Sequence, residues 1–485
     1  MFTTIPQPRL DAEEPPPTLG DEHGASALPT IKRLIWLYFW LLILEGALRK
    51  WILPGWSNPI LLIRDPVVIA IYLFAGSAGI FPQNRFIFWT TGLTLVSFIG
   101  SELGGEGNLL VSLFGVRTNF LHLPLIFLLP NVFDRKDMDA MAKWFFISSI
   151  PMGLLVLAQF EASPDSWINN GAGGSENGQL ESAYGKIRPP GTFSFTTGLT
   201  CYLSVAIAFA IQTLMQQNSK NLKLAMIALP AIGIMVVISG SRAALGSVIL
   251  VIIAAGVVCL KKPAFFGRSA KLVLVFGLAY FALGFWSEFQ QGIDVHRWRV
   301  EGGGGVKEGI LMRFFGDLFP IDSIINAPFL GAGLGMGTNA ASSFLYGHRT
   351  FSLGESDWQR IIGESGAVIG LAFIGFRIAI LIHLGFRSFD CLRQNDPLPL
   401  LLYGASFPQI LIGQLGVPTT QGWAIFSGAL CLASTYALSA TASEAGPVAE
   451  LVVAQAPSRN PRGRSVYADQ LHGEFEDPDI ARFGP

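Results

Sequence analysis

Four ionisable side chains fall close together in one stretch, Leu353-Gly-Glu-Ser-Asp-Trp-Gln-Arg-Ile-Ile-Gly-Glu-Ser-Gly366: Glu355, Asp357, Arg360 and Glu364. A carboxylate held near an attacking hydroxyl can orient it or take its proton, and a guanidinium can neutralise an anion by a two-pronged hydrogen bond. Glu355 and Asp357 are therefore candidates for a catalytic role, and Arg360 and Glu364 for contacts to a substrate. Glu364 has a second reading, as an acid at a helix start that interacts with the helix dipole.

A second set of candidates is cationic. Arg49 and Lys50 end the first apolar run, Arg64 lies in the second, Arg117 lies within the fourth, and Arg188 and Arg242 sit at the ends of later runs. An arginine inside a membrane span costs about 2.5 to 3.5 kcal/mol on insertion scales, so such residues face a cavity, a partner or a ligand. Glu45 and Arg49 are spaced for pairing on one helix face, and Arg64 precedes Asp65. Arg117, Arg188 and Arg242 have no acid close in sequence and point to an anionic ligand. At a membrane boundary, a lipid-linked pyrophosphate offers a diphosphate for guanidinium forks, with a phospholipid headgroup as the alternative.

The elements that position these groups follow from composition. The chain has 485 residues, 51% hydrophobic and 14% charged, and a mean hydropathy of +0.47. Too few charges remain to clothe a soluble globule of this length, so the expected class is an all-α polytopic membrane protein. Runs of about 20 apolar residues suit helices that cross about 30 Å of hydrocarbon. About twelve are expected, near 33 to 53, 60 to 80, 85 to 101, 109 to 130, 138 to 160, 194 to 215, 222 to 240, 243 to 260, 271 to 288, 363 to 386, 398 to 415 and 420 to 440. Lys32/Arg33, Arg135/Lys136, Lys220/Lys223, Lys261/Lys262/Arg268 and Arg387/Arg393 fall on one side, which the positive-inside rule makes cytoplasmic. Both termini are then cytoplasmic, and the loops 161 to 193 and 289 to 362 are periplasmic, the larger lying between spans nine and ten. The tails, 1 to 31 and 441 to 485, have the composition of disordered segments.

Four segments carry a family resemblance. Ile187-Arg-Pro-Pro-Gly-Thr-Phe193, Ser239-Gly-Ser-Arg-Ala-Ala-Leu245, Asn326-Ala-Pro-Phe-Leu-Gly-Ala-Gly-Leu-Gly335 and Glu364-Ser-Gly366, in this order on one face, resemble the O-antigen ligase and polymerase superfamily. These are bacterial membrane glycosyltransferases of GT-C type that move glycans from undecaprenyl pyrophosphate. The resemblance covers about 185 to 390. It implies an inner-membrane enzyme, a lipid-linked oligosaccharide donor bound through Arg188 and Arg242, a glycan or lipid-glycan acceptor, and a large outer loop covering the site. Ligases of the superfamily usually carry a histidine nine residues before the glutamate matching Glu364. That position is Glu355 here, and His348 lies seven residues earlier, which favours a polymerase-like or otherwise diverged member.

Other signals are weaker. Gly331-Ala-Gly-Leu-Gly-Met-Gly337 lacks the spacing and the setting of a dinucleotide loop, and no His/Cys/Asp cluster has metal-ligand spacing, so neither cofactor nor metal is expected. His122 and Pro124 read as a packed polar group and a kink. The four cysteines read as isolated thiols. The formal net charge of −1 carries no signal for nucleic acid, and membrane lipids are the remaining partner. The competing class is a multi-span transporter or flippase of lipid-linked sugars. Against it, no six-plus-six repeat is visible and the conspicuous charges gather at one face, not the midplane.

Overall fold

The computed structural model describes residues 22–104, 109–174, 178–216, 220–265, 284–302, 320–338 and 356–454, together with 267, 277 and 318. Most of the expected span 271 to 288, much of the loop 289 to 362 including Glu355 and His348, and the outer parts of both tails lie outside the described residues. The chain divides into two units, Met1–Ala437 and Leu438–Pro485. In the second, the backbone is helical as far as Ala454.

The described residues form an all-α protein. In chain order the helices are α1 (Glu22–Ala47), α2 (Asp65–Ser77), α3 (Arg85–Gly104), α4 (Leu109–Val116), α5 (Arg135–Glu161), α6 (Thr196–Met215), α7 (Leu222–Ile238), α8 (Arg242–Lys261), α9 (Ser287–Gly302), α10 (Ile321–Asn326), α11 (Asp357–Arg393), α12 (Leu398–Leu411) and α13 (Pro418–Ala454). The β pairing among them is two isolated bridges, Gly171 with Gly174 and Glu181 with Ile187. Among the described residues, eight helical stretches are long and apolar enough to cross a membrane: Ala27–Ile52, Pro54–Ser77, Arg85–Gly104, Leu109–Asn131, Arg135–Glu161, Thr196–Met215, Arg242–Lys261 and Asp357–Arg393. The apolar helices α7 and α12 are shorter, at 17 and 14 residues. α1 begins at Glu22, inside the expected tail, because the chain from there to Ala47 holds a helix through Pro29.

The core is built around α6. Over an 18-residue window of this helix 94% of the residues are buried, the mark of a helix enclosed on every side. It packs against α5, α7, α8 and α12. Gly198, Ser204, Ala206, Ala208 and Ala210 keep the backbones close, as small residues do between membrane helices. Tyr202 meets Phe145, Phe193 and Trp423 with ring centroids 5.3, 5.9 and 5.9 Å away, in tilted and edge-on arrangements that suit the ring quadrupoles. The closely spaced runs 222 to 240 and 243 to 260 are indeed two helices. Gly240, at φ +56, ends the first, and Ser241 caps the second by accepting from the Ala244 amide.

α11 is broken. Gly366 has φ 75 and ψ 169, which divides the helix into a short segment, 357–365, and a long one, 367–393. The break exposes carbonyls that a continuous helix would pair. The loop 331–338 takes them: Ala332 N donates to Gly363 O at 2.8 Å and Gly333 N to Glu364 O at 3.1 Å. On its other side, Leu334 N donates to Ser101 Oγ at 2.8 Å. A Cβ at Gly331 would run into the backbone of Glu364, and one at Gly335 into that of Val111 and Gly115. Both glycines have positive φ, so the alternating glycines serve backbone-on-backbone packing onto the broken helix.

Candidate functional site

Ser356 sets the first cluster. Its Oγ accepts from Gln359 N at 3.3 Å, and Gln359 Oε1 accepts from Ser356 N at 3.2 Å, a reciprocal cap that starts α11 at Asp357. The helix thus opens before the expected residue 363, and Glu364 lies about two turns inside it, not at its start. Asp357, Arg360 and Glu364 share one helix face. Arg360 donates Nε and Nη2 to Asp357 Oδ1 at 3.0 and 2.9 Å, and Nη1 to Glu364 Oε2 at 2.9 Å. Its Nη2 also reaches Asn119 Oδ1 at 2.9 Å. Arg377, from the long segment, donates Nη1 to Asp357 Oδ2 at 2.5 Å, Nε to Ile410 O at 2.7 Å and Nη2 to Gly413 O at 2.9 Å. Glu364 Oε1 accepts from Gly337 N at 3.0 Å, and Oε2 from Asn119 Nδ2 at 3.3 Å.

All these side chains are buried, and two carboxylates balance two guanidiniums. Such a group is stable only when its donors and acceptors are filled, and here both oxygens of each carboxylate are engaged. The cluster ties the two segments of α11 to the glycine loop, to Asn119 and to the end of α12. For Asp357 to move a proton, an arginine would have to leave one of its oxygens.

Two π-helical turns hold the next group of cations. Leu48–Ile52 continues α1 and carries Arg49 and Lys50, and Arg117–Leu121 follows α4. Glu45 Oε2 accepts from Arg64 Nε at 2.8 Å, and Glu45 Oε1 lies 3.7 Å from Arg49 Nη1. Arg64 Nη2 donates to Pro418 O at 2.7 Å. Arg117 grips Asp65 by a fork, Nε to Oδ2 at 2.7 Å and Nη2 to Oδ1 at 3.0 Å. Asp65 Oδ1 also faces His122 Nε2 at 3.0 Å, and His122 Nδ1 faces the Tyr38 hydroxyl at 3.0 Å. The neighbours Arg64 and Asp65 thus bind different partners: Glu45 holds Arg64, and Asp65 is the acid that Arg117 lacks near it in sequence.

Arg188 and Arg242 are arranged differently. Arg188 lies in the loop that precedes α6, and Arg242 is the first residue of α8. Gly240, in the left-handed conformation, packs close to Arg188: a Cβ there would stand 3.3 Å from Val295 Cγ1, 3.4 Å from Ser182 Oγ and 3.9 Å from Arg188 Cγ. No hydrogen bond or ion pair joins either guanidinium to a described residue. Arg188 Nε, Arg242 Nη1 and Ser182 Oγ are buried without a hydrogen-bond partner. Burial, and then the like charge of Arg242, lower the Arg188 guanidinium from its ordinary pKa. Two like charges held together with unfilled donors and no acid among the described residues make a place where an anion would be stabilised.

The structure thus gathers Asp357, Arg360 and Glu364 in one cluster, Arg188 and Arg242 in another, and Arg117 in a third; Glu355 lies outside the described residues. Sequence reasoning missed Arg377 and Asn119. Arg377 had a readable signal, an arginine in the middle of an apolar run, whereas Asn119 had none beyond its polarity. Among the described residues, no three His, Cys, Asp or Glu side chains converge as metal ligands would. No protein-family model matches the chain, and no curated protein matches it either.

Proposed function

We propose that this chain is a bacterial inner-membrane glycosyltransferase that joins glycan from a polyprenyl-pyrophosphate donor to a glycan or lipid-glycan acceptor at the periplasmic face. It acts as a polymerase-like enzyme in surface or exopolysaccharide synthesis. The observation that supports this is the pair Arg188 and Arg242, brought together with unpartnered buried nitrogens and no carboxylate bound to them among the described residues. In the reaction, the acceptor hydroxyl oxygen bonds to the anomeric carbon while the bond from that carbon to the diphosphate oxygen breaks. The lipid diphosphate leaves with the electron pair, and the hydroxyl proton passes to a carboxylate or to water. Guanidiniums stabilise the leaving diphosphate by charge, so it needs no protonation. Glu355 is assigned to the acceptor hydroxyl, which it orients and polarises. Asp357, Arg360 and Glu364 brace the start of α11 through their ion pairs, and Arg117 supports the bundle through Asp65.

The purified chain in liposomes, given a polyprenyl-diphosphate oligosaccharide in EDTA, should build a ladder of longer glycans visible by mass spectrometry. Passage of the intact lipid-linked sugar across the bilayer with no longer product would replace the enzyme by a flippase.

The reading also requires twelve spans, cytoplasmic termini and periplasmic loops at 161–193 and 289–362. Leu180 is 52% exposed in the first of these loops. Leu180→Cys should react with an impermeant maleimide in spheroplasts, and Arg393→Cys only after the membrane is opened. The opposite pattern would invert the site to the wrong face.

A further inference from the structure

The π-helical turn after α1 opens on a cleft that no part of the proposed reaction has used. It has a volume of about 620 Å³ and is lined by Lys50, Trp51, Pro54, Trp167, Asn170 and Gly173. That volume falls in the range of small-molecule sites, about 300–1,000 Å³. One wall is the turn itself and the other is the loop before α6, and the two are tied together by Trp51 Nε1 donating to Trp167 O at 3.2 Å and by Gly173 N donating to Arg49 O at 3.2 Å. The indoles of Trp51 and Trp167 stand 6.4 Å apart at 71°. Trp167 is 69% exposed, a large flat face offered outward.

Lys50 is the anomaly in this cleft. It is one of the residues that line the cleft although only 1% of its surface is exposed. An ammonium has three N–H donors. One goes to Gly191 O at 2.5 Å, and the Trp51 ring covers another side with its centroid 4.2 Å away. No carboxylate among the described residues pairs with it, whereas the adjacent Arg49 has Glu45. A buried lysine with no counter-charge among the described residues, beside two indoles in an open cleft, fits a ligand that brings an anionic group and an apolar ring face.

We propose that this cleft binds an acidic sugar residue of the glycan, with its ring against the indoles of Trp51 and Trp167 and its carboxylate on Lys50 Nζ. The inference rests on the glycan-transfer reading and adds the substrate class, a hexuronate-containing glycan. The segment that carries Arg188 also carries Gly191, the acceptor for Lys50. Three residues span no more than about 11 Å of chain, so the acidic sugar would lie near the diphosphate end of the donor.

The test uses the full chain in phosphatidylcholine nanodiscs and two probes, a glucuronate–glucose disaccharide and the neutral glucose–glucose disaccharide, with binding followed by saturation-transfer NMR. The acidic probe should bind about tenfold tighter than the neutral one, and Lys50→Met should remove that preference. Lys50 is buried, so its variant is checked by thermal unfolding. Trp167→Ala, an exposed position, should weaken both probes by about tenfold without affecting the fold. Equal binding of the two probes, no binding of either, or wild-type binding by Trp167→Ala overturns the proposal. So does loss of sugar binding in phosphatidylglycerol nanodiscs with Lys50-dependent retention of that lipid, which would make the cleft a headgroup site. Inorganic pyrophosphate binding is measured alongside. If it depends on Arg188 and Arg242 while neither sugar binds, only the cleft assignment falls. If the sugars bind as expected and pyrophosphate ignores both arginines, the donor site falls and the cleft stands.

Discussion

Arg188→Ala and Arg242→Ala are each expected to lower glycan transfer by about 10²–10³-fold, the usual effect of removing one donor that stabilises charge in a transition state. The same variants should be close to neutral for stability, within about 0.5 kcal/mol, because neither guanidinium has a partner among the described residues to strand. Relief of the repulsion between them acts in the same direction, since Arg242 is one of the causes that lower the Arg188 pKa. A large loss of activity without loss of stability separates a ligand-binding cation from a structural one, and sites kept strained for function show this trade-off. Lysine at either position should restore little, since it lacks the planar fork that meets two phosphate oxygens at once. Initial rates of glycan transfer and unfolding of the same preparations decide the matter. Near-normal transfer by both alanine variants would remove the donor site from this place.

What the sequence could reveal divides along range. Apolar runs of membrane length marked the helices, since hydropathy is a local property, and the pair Glu45 and Arg49 was legible because its partners lie one turn apart. Arg188 and Arg242 stood out by violating the charge bias of the loops. Their meeting depends on how α6 and α8 pack, which no local pattern encodes. Asp65 and Arg117 are 52 residues apart, and Asn119 and Arg360 are 241 apart. Such pairings follow from tertiary packing, so Arg117 reads as unpartnered until the fold is known. The start of α11 was misplaced for another reason. Hydropathy detects the apolar stretch, but the helix starts where Ser356 and Gln359 cap it, and that polar signal precedes the apolar run. The alternating glycines of 331–337 could be denied a nucleotide, yet their purpose required the break at Gly366 to be seen.

Asp357→Asn should destabilise the protein by about 3–5 kcal/mol, the usual cost of leaving buried charge without its partner. Asp357 receives Arg360 on one oxygen and Arg377 on the other, and the neutral amide would leave a buried net positive charge. Its NH₂ group would also face a guanidinium, donor against donor. Adding Arg377→Met should recover part of the loss, since it removes the stranded cation, and a double-mutant cycle would measure the coupling. Glu355 is expected to behave in the opposite way. Glu355→Gln should cut turnover by about 10²-fold with donor affinity and stability little changed, and Glu355→Asp should keep part of the activity, if, as proposed, the carboxylate acts on the acceptor hydroxyl. Turnover, lipid-donor affinity and unfolding are to be measured separately for each variant. Two carboxylates two residues apart thus carry separable expectations, one read in stability and the other in rate. If Asp357→Asn is as stable as the unaltered chain but inactive, and Glu355→Gln turns over normally, then Asp357 is the carboxylate that meets the acceptor, and an arginine must leave it during the reaction.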